Sequence, residues 1–275
     1  MIVIGDDTAK IEELQKRLAS EFEMKDLGCL KYFLRVEVTR SKHGLFLSQR
    51  KYVMYPLVDT GMLDCKPADT PIVENHNLGV YVDKVPTNQE RYQRLVGRFI
   101  YLSLTRPDIA YVVSVASQFM HSPNDDHMAA AMRILSYLKF APGRGLLFKK
   151  NGHLDLEGYT NADYAGNITY RHSTAVTWRS KKQNVVSWSS AKSEYRGITQ
   201  GSAFEITNNP VQHDRTKHVE VDQHFIKEKL EHKLISILFV PSSEQLADML
   251  THVVSKCRFE DSLDKLGIID IYAPT

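Results

Sequence analysis

Carboxylates are the residues with the most chemistry in this chain. Gly5-Asp6-Asp7 places two adjacent acids after a short apolar run. Adjacent carboxylates at a strand end can hold two divalent ions for phosphoryl transfer. The same spot precedes a helical pattern, where Asp7 or Thr8 serves as an N-cap. Capping is the commoner use of such a turn and outweighs the metal reading. The second half scatters Asp155, Glu157, Asp163, Glu194, Asp222 and Asp248. Mg2+ takes oxygen ligands, typically a few carboxylates completed by water and substrate phosphate. Glu194 and Asp248 fall in or beside expected helix starts near strands, a plausible metal position. Spacing alone leaves open both that reading and ordinary solvated acids.

Other chemistries fit less well. His213, His218 and His224 stand five and six apart, off a common helical face and without a cysteine pair, which argues against zinc. There is no G-x-x-x-x-G-K-[ST] phosphate loop and no nucleophile elbow. Arg91-Tyr92, Arg94 and Arg98-Phe99 interleave basic and aromatic side chains. That pattern suits a phosphate backbone, and it equally suits any amphipathic helix.

The elements that must position these residues follow from periodicity. Ile2 to Ile4 reads as a buried strand. Ile11, Leu14, Leu18 and Phe22 share one helical face. Leu30 to Val38 and Leu45 to Gln49 read as two strands around a Ser41-Lys42-His43-Gly44 turn. Residues 64–90, with Pro67, Pro71 and Pro86, read as loop. Three helices follow: Tyr92 to Leu104, one starting at Pro107 with Asp108 where the helix dipole favours an anion, and about Asn124 to Phe140. Strands are expected at Gly145 to Lys149, Leu154 to Thr160, Asn184 to Ser187 and Leu234 to Val240. Helices are expected near Ser190 to Gln200, Lys217 to His232 and Glu244 to Val254. The composition turns from helical to mixed near residue 145.

With 275 residues, 43% hydrophobic and 25% charged, the composition is that of a folded globular chain. A net charge of +2 sets up no overall field toward nucleic acid, although a groove needs only a local cluster. The most apolar run, Ile109 to Met120, is broken by Ser114, Ser117 and Gln118, so no membrane partner is expected. The start lacks the features of a secretory signal. Cys29, Cys65 and Cys257 give no metal pair and no disulfide framework. An intracellular chain, cytoplasmic or nuclear, is the expectation.

Many short runs, in order, resemble copia-type retrotransposon Pol polyproteins. They include Met24-Lys25-Asp26-Leu27-Gly28, Tyr32-Phe33-Leu34, Leu47-Ser48-Gln49, Cys65-Lys66-Pro67 and Leu95-Val96-Gly97. Tyr101-Leu102-Ser103 with Thr105-Arg106-Pro107-Asp108-Ile109-Ala110-Tyr111 is close to a signature of that family. Gly158-Tyr159-Thr160, Ser189-Ser190-Ala191 with Glu194-Tyr195-Arg196, and Arg215-Thr216-Lys217-His218 extend the likeness. It implies an α+β fold in three parts. Residues 1–56 would be the C-terminal end of a reverse transcriptase palm, 57–145 a helical thumb and connection, and 146–275 a ribonuclease H-like mixed sheet with helices, internally deleted. It also implies Mg2+ as cofactor, and RNA–DNA hybrid or single-stranded nucleic acid as partner.

Departures from the family pattern shape the functional expectation. The family's Tyr-Val-Asp-Asp polymerase turn has no counterpart. Glu194 and Asp248 match two of the four ribonuclease H acids and are the implied metal ligands. Asn161 occupies the first acid position, with Asp163 two residues on as a partial substitute among the catalytic residues. The third acid has no match, and Ser202 to Glu205 runs almost directly into Asn208-Asn209-Pro210. A shorter gap follows Ser173-Thr174-Ala175. The resemblance therefore implies a truncated, inactive reverse transcriptase and ribonuclease H fragment, with a non-catalytic nucleic-acid-binding remnant as the alternative.

Overall fold

A computed structural model describes residues 8–23, 28–74, 76, 78–79, 84–149, 159, 161–163, 174–176, 180–182, 230–232 and 240–272. Helices and antiparallel strands mix without parallel crossovers among these residues, so the α+β expectation holds. The helices are α1 (Thr8–Glu21), α2 (Arg50–Asp59), α3 (Gln89–Leu102), α4 (Ala110–Ser117), α5 (Asp125–Phe140) and α6 (Lys256–Lys265). Strands β1 (Tyr32–Phe33), β2 (Val36–Ser41), β3 (Gly44–Ser48), β4 (Arg144–Lys149) and β8 (Ile268–Asp270) form one sheet in the order β1-β2-β3-β4-β8. A second sheet orders β5 (Asn161–Asp163), β6 (Thr174–Val176) and β7 (Ser180–Lys182).

The helical centre follows the sequence closely. Asn88 starts α3 by accepting from the Arg91 amide at 2.8 Å, and Tyr92, Leu95, Val96, Phe99 and Leu102 bury one face. The Tyr92 hydroxyl donates to the Ala116 carbonyl at 2.8 Å and ties α3 to α4. Pro107 opens a short 3-10 turn ahead of α4 rather than α4 itself. Asn124 caps α5 in a reciprocal box: it accepts from the His127 amide, and His127 Nδ1 accepts from the Asn124 amide, both at 3.1 Å.

Elsewhere the chain departs from its pattern. The expected strand Leu30 to Val38 is a hairpin. Phe33 pairs with Val36, so Leu34 and Arg35 form a two-residue turn at φ 47 and 64. Such turns normally carry Asn or Gly, and without that signal the alternation reads straight through. Helix α2 had no expectation, because Pro56 sits inside it and hides the helical spacing of Tyr52, Val53, Pro56 and Leu57. The helix expected over Glu244 to Val254 is a 3-10 turn, Leu246–Leu250, followed by α6 and the unexpected strand β8. In α1 the apolar stripe forms as expected, yet Leu14 and Phe22 remain exposed. The strand at Ile2 to Ile4, and those expected at Leu154 to Thr160, Asn184 to Ser187 and Leu234 to Val240, lie wholly or almost wholly outside the described residues. So do the helices near Ser190 to Gln200 and Lys217 to His232.

Strand β3 pairs with both β2 and β4, and Gly44 is required at the crowded end of it. Its φ of 150 is unsuited to a side chain, and an added Cβ would strike the Phe148 carbonyl oxygen.

The His127 cap gives the fold an acid limit. Burial lowers the His127 pKa below the ordinary histidine value, while the Gly79 carbonyl and Asp126, itself paired with Lys84, oppose this only partly. Protonation would put a hydrogen on Nδ1 where the Asn124 amide already donates. A depressed folded-state pKa gives stability that is present above the unfolded value near 6.5 and lost as pH falls through the folded pKa. Burial lowers His76 in the same direction. The melting temperature is expected to fall as pH drops below about 6.5, and His127→Gln should flatten part of that fall. Identical pH profiles for the two proteins would contradict the assignment.

Candidate nucleic-acid face and the buried arginine network

Arg106 has no exposed surface, so its charge must be met inside the protein. Its Nε donates to Asp108 Oδ1 at 2.9 Å, its Nη2 to Asp108 Oδ2 at 2.7 Å, and its Nη1 to the Ala141 carbonyl at 3.0 Å. The Tyr137 hydroxyl donates to Asp108 Oδ2 at 2.5 Å and accepts from Arg144 Nη1 at 2.9 Å. Burial by itself would raise the Asp108 pKa. The Arg106 charge and its hydrogen bonds outweigh burial and hold the carboxyl below the ordinary range. Burial pushes the Tyr137 hydroxyl up, so it stays a donor. Asp108 is therefore the arginine's partner rather than the helix-dipole anion its position suggested.

This network fixes where β4 and α3 stand, and through them an exposed face. Tyr101, at the end of α3, donates its hydroxyl to the Leu34 carbonyl in the β1–β2 turn. The Arg35 guanidinium lies 5.0 Å from the centre of the Tyr52 ring and 5.4 Å from that of Tyr55. Lys51 lies 5.4 Å from the Tyr32 ring centre, and its amide donates to Glu37 Oε1 at 3.2 Å. Tyr32, Phe33, Leu34, Tyr55 and Ile100 are all exposed. Along α3, Arg91, Arg94 and Gly97 are exposed, while Arg98 pairs with Asp59 at 2.5 Å. A Cβ on Gly97 would meet no atom of the described residues within 4 Å, so nothing among them requires glycine there. Cations held on aromatic rings beside a basic helix can meet both phosphates and base faces. The sequence showed the α3 basics. It could not show that a turn at Leu34 and Arg35 joins them.

Of the acids singled out from the sequence, Asp163 and Asp248 fall among the described residues. Asn161 and Asp163 are the ends of β5, paired with Val176 and Thr174 of β6. Glu194 lies outside the described residues. Asp248 is buried in the Leu246–Leu250 turn, 3.1 Å from Arg258 Nη2 and 3.7 Å from His252 Nε2. Among the described residues no group of three or more His, Cys, Asp or Glu is placed to hold a metal ion. The Asp248 carboxylate is shared with Arg258. Among the described residues no helix is long and apolar enough to cross a membrane.

Comparison with known proteins adds an ancestry to this geometry. A family described as reverse transcriptase (RNA-dependent DNA polymerase) matches residues 1–74. The retrovirus-related Pol polyprotein from transposon RE1 of Arabidopsis thaliana is 33% identical over 307 aligned positions, covering 98% of this chain and 21% of that protein. The alignment is 32 positions longer than the chain's 275 residues, so at least that many residues of the relative have no counterpart here. The corresponding polyprotein from tobacco transposon TNT 1-94 is 31% identical over 98% of this chain and 24% of its own length. An uncharacterized mitochondrial protein of Arabidopsis thaliana is 36% identical over 75% of this chain and 90% of its own length. The chain thus spans about a fifth of the length of the Pol polyproteins it matches. No solved structure matches it.

Asp108→Asn should cost about 3–5 kcal/mol, because it leaves the buried Arg106 charge without a counter-ion. Tyr137→Phe removes one hydrogen bond to a carboxylate and should cost about 1.5–3 kcal/mol. Urea unfolding of both variants checks the order, and an Asp108→Asn protein as stable as the parent would refute the network's role.

Proposed function

This chain belongs to the copia-type Pol polyproteins of retrotransposons, and from that premise we propose that it is a reverse transcriptase fragment that holds an RNA–DNA hybrid without extending or cleaving it. The observation that carries the reading is the joined face of the β1–β2 turn, α2 and α3. Arg35 and Lys51 stacked on tyrosines, with Arg91 and Arg94 alongside, supply the charge and ring faces that a hybrid's backbone and terminal bases require. In this reading residues 1–56 are the end of the palm, 57–145 the thumb and connection, and 146–275 a ribonuclease H-like part. Family membership also points to divalent-metal chemistry, with Glu194, Asp248 and Asp163 as the acids in question.

Binding is favoured over catalysis by what the sequence holds at the reactive positions. In this reading Asn161 stands at the first ribonuclease H acid position. An amide offers an oxygen but no negative charge to offset a pair of divalent ions.

Gly97 separates this reading from a purely structural one. Glycine inside an exposed helix costs about 1 kcal/mol relative to alanine, and nothing among the described residues fills the space beside it. Close approach of a nucleic-acid backbone gives that space a use. Gly97→Ala is expected to stabilise the protein by up to about 1 kcal/mol while weakening hybrid binding, read by fluorescence anisotropy of a labelled RNA–DNA duplex. Arg94→Ala should weaken binding across sequences and lower the salt dependence by about one counterion. Unchanged affinity in both variants would sink the reading.

A further inference from the structure

The chain leaves the five-stranded sheet at Lys149, and its tail is described from residue 240 to residue 272. It returns to the same core. Met249, Leu250, Phe259, Leu263 and Ile268 are buried in one cluster with Phe99, Leu135, Tyr137 and Leu146. Three kinds of contact hold the tail there. Strand β8 pairs antiparallel with β4, with Leu146 opposite Ile268, and the Leu147 amide donates to the Gly267 carbonyl at 2.9 Å. The Phe259 ring meets Tyr137 edge-on, centres 5.9 Å apart. Lys256 Nζ reaches Asp69 Oδ2 at 2.7 Å on the surface. Inside the tail, Arg258 on Asp248 braces α6 against the turn that precedes it.

Neither half of this contact stands well alone. A three-residue strand and a ten-residue helix are marginal without a partner. Conversely β4 would lose its second neighbour, and Tyr137, which carries a proton to Asp108, would lose the ring that covers it. The contacts are long in sequence and dense in apolar surface, the pattern of one cooperative unit rather than of two domains touching.

We propose that residues 240–272 are a returning clamp that closes the helical body, and that body and clamp stay together when the chain between residues 150 and 239 is cut. In this arrangement Asp248 is an ion-pair anchor of the clamp, fixed to the body by its neighbours Met249 and Leu250 rather than to β5. The inference goes beyond hybrid binding and does not rest on it.

The test uses the full chain with a specific protease site inserted between Gln200 and Gly201. After native cleavage, the two pieces are expected to co-elute at the mass of the intact protein on size exclusion. Lys256→Ala, which removes only the surface ion pair, should leave them together. Phe259→Asp with Ile268→Asp should release the C-terminal piece. If that double variant does not fold, Leu263→Ala takes its place, read as the fraction released, with dissociation expected to rise about tenfold or more. Separation of the unsubstituted pieces would overturn the proposal, as would release unchanged by these core substitutions.

Discussion

A guanidinium with no surface exposure organises this structure. Arg106 cannot be buried without a carboxylate, and the Asp108 carboxylate two residues on meets it through a forked pair of hydrogen bonds. The remaining guanidinium nitrogen, Nη1, donates to the Ala141 carbonyl just past α5. The remaining capacity of the carboxylate takes the Tyr137 hydroxyl from within α5, and that hydroxyl in turn takes Arg144 at the start of β4. One buried charge therefore fixes the α3–α4 junction, the end of α5 and the first residue of β4. Replacement of a buried ion pair by apolar side chains is often neutral in stability, whereas loss of one partner is not. The network's value is the single arrangement it enforces.

From that junction the consequences spread along β4. Strand β3 lies on one side of it and β8 on the other. Through β3 the hairpin is held, and the Tyr101 hydroxyl pins its turn to α3. The exposed stacked cations and the basic stripe of α3 are thus parts of one rigid surface. Through β8 the tail is held, bringing Asp248 into the helical body with an arginine as its partner.

Local signals made much of this legible. Asn124 announces a helix start, the spacing of Leu95, Val96, Phe99 and Leu102 names a buried face, although Ile100 beside them is exposed, and Gly44 marks the second hairpin. What escaped was written in tertiary contacts. Leu34 and Arg35 adopt left-handed backbone that neither prefers, compensated by the Tyr101 hydrogen bond and the two tyrosine rings under Arg35. Pro56 hid α2. Ile268 to Asp270 is too short to read as a strand until β4 is present to pair with it. At the site, the basic residues of α3 and the acids Glu194 and Asp248 could be named from sequence. That Asp108 belongs to Arg106, and Asp248 to Arg258, depends on folded geometry that no spacing rule encodes.

Native-state hydrogen exchange of the full chain, followed residue by residue through increasing denaturant, tests most directly whether body and tail are one unit hung on this network. The slowest amides of α5, β4 and α6, represented by Leu135, Leu146 and Leu263, should converge on a single opening free energy. Exchange of Leu263 and Ile268 through a separate opening, well before Leu135 and Leu146, would contradict the account.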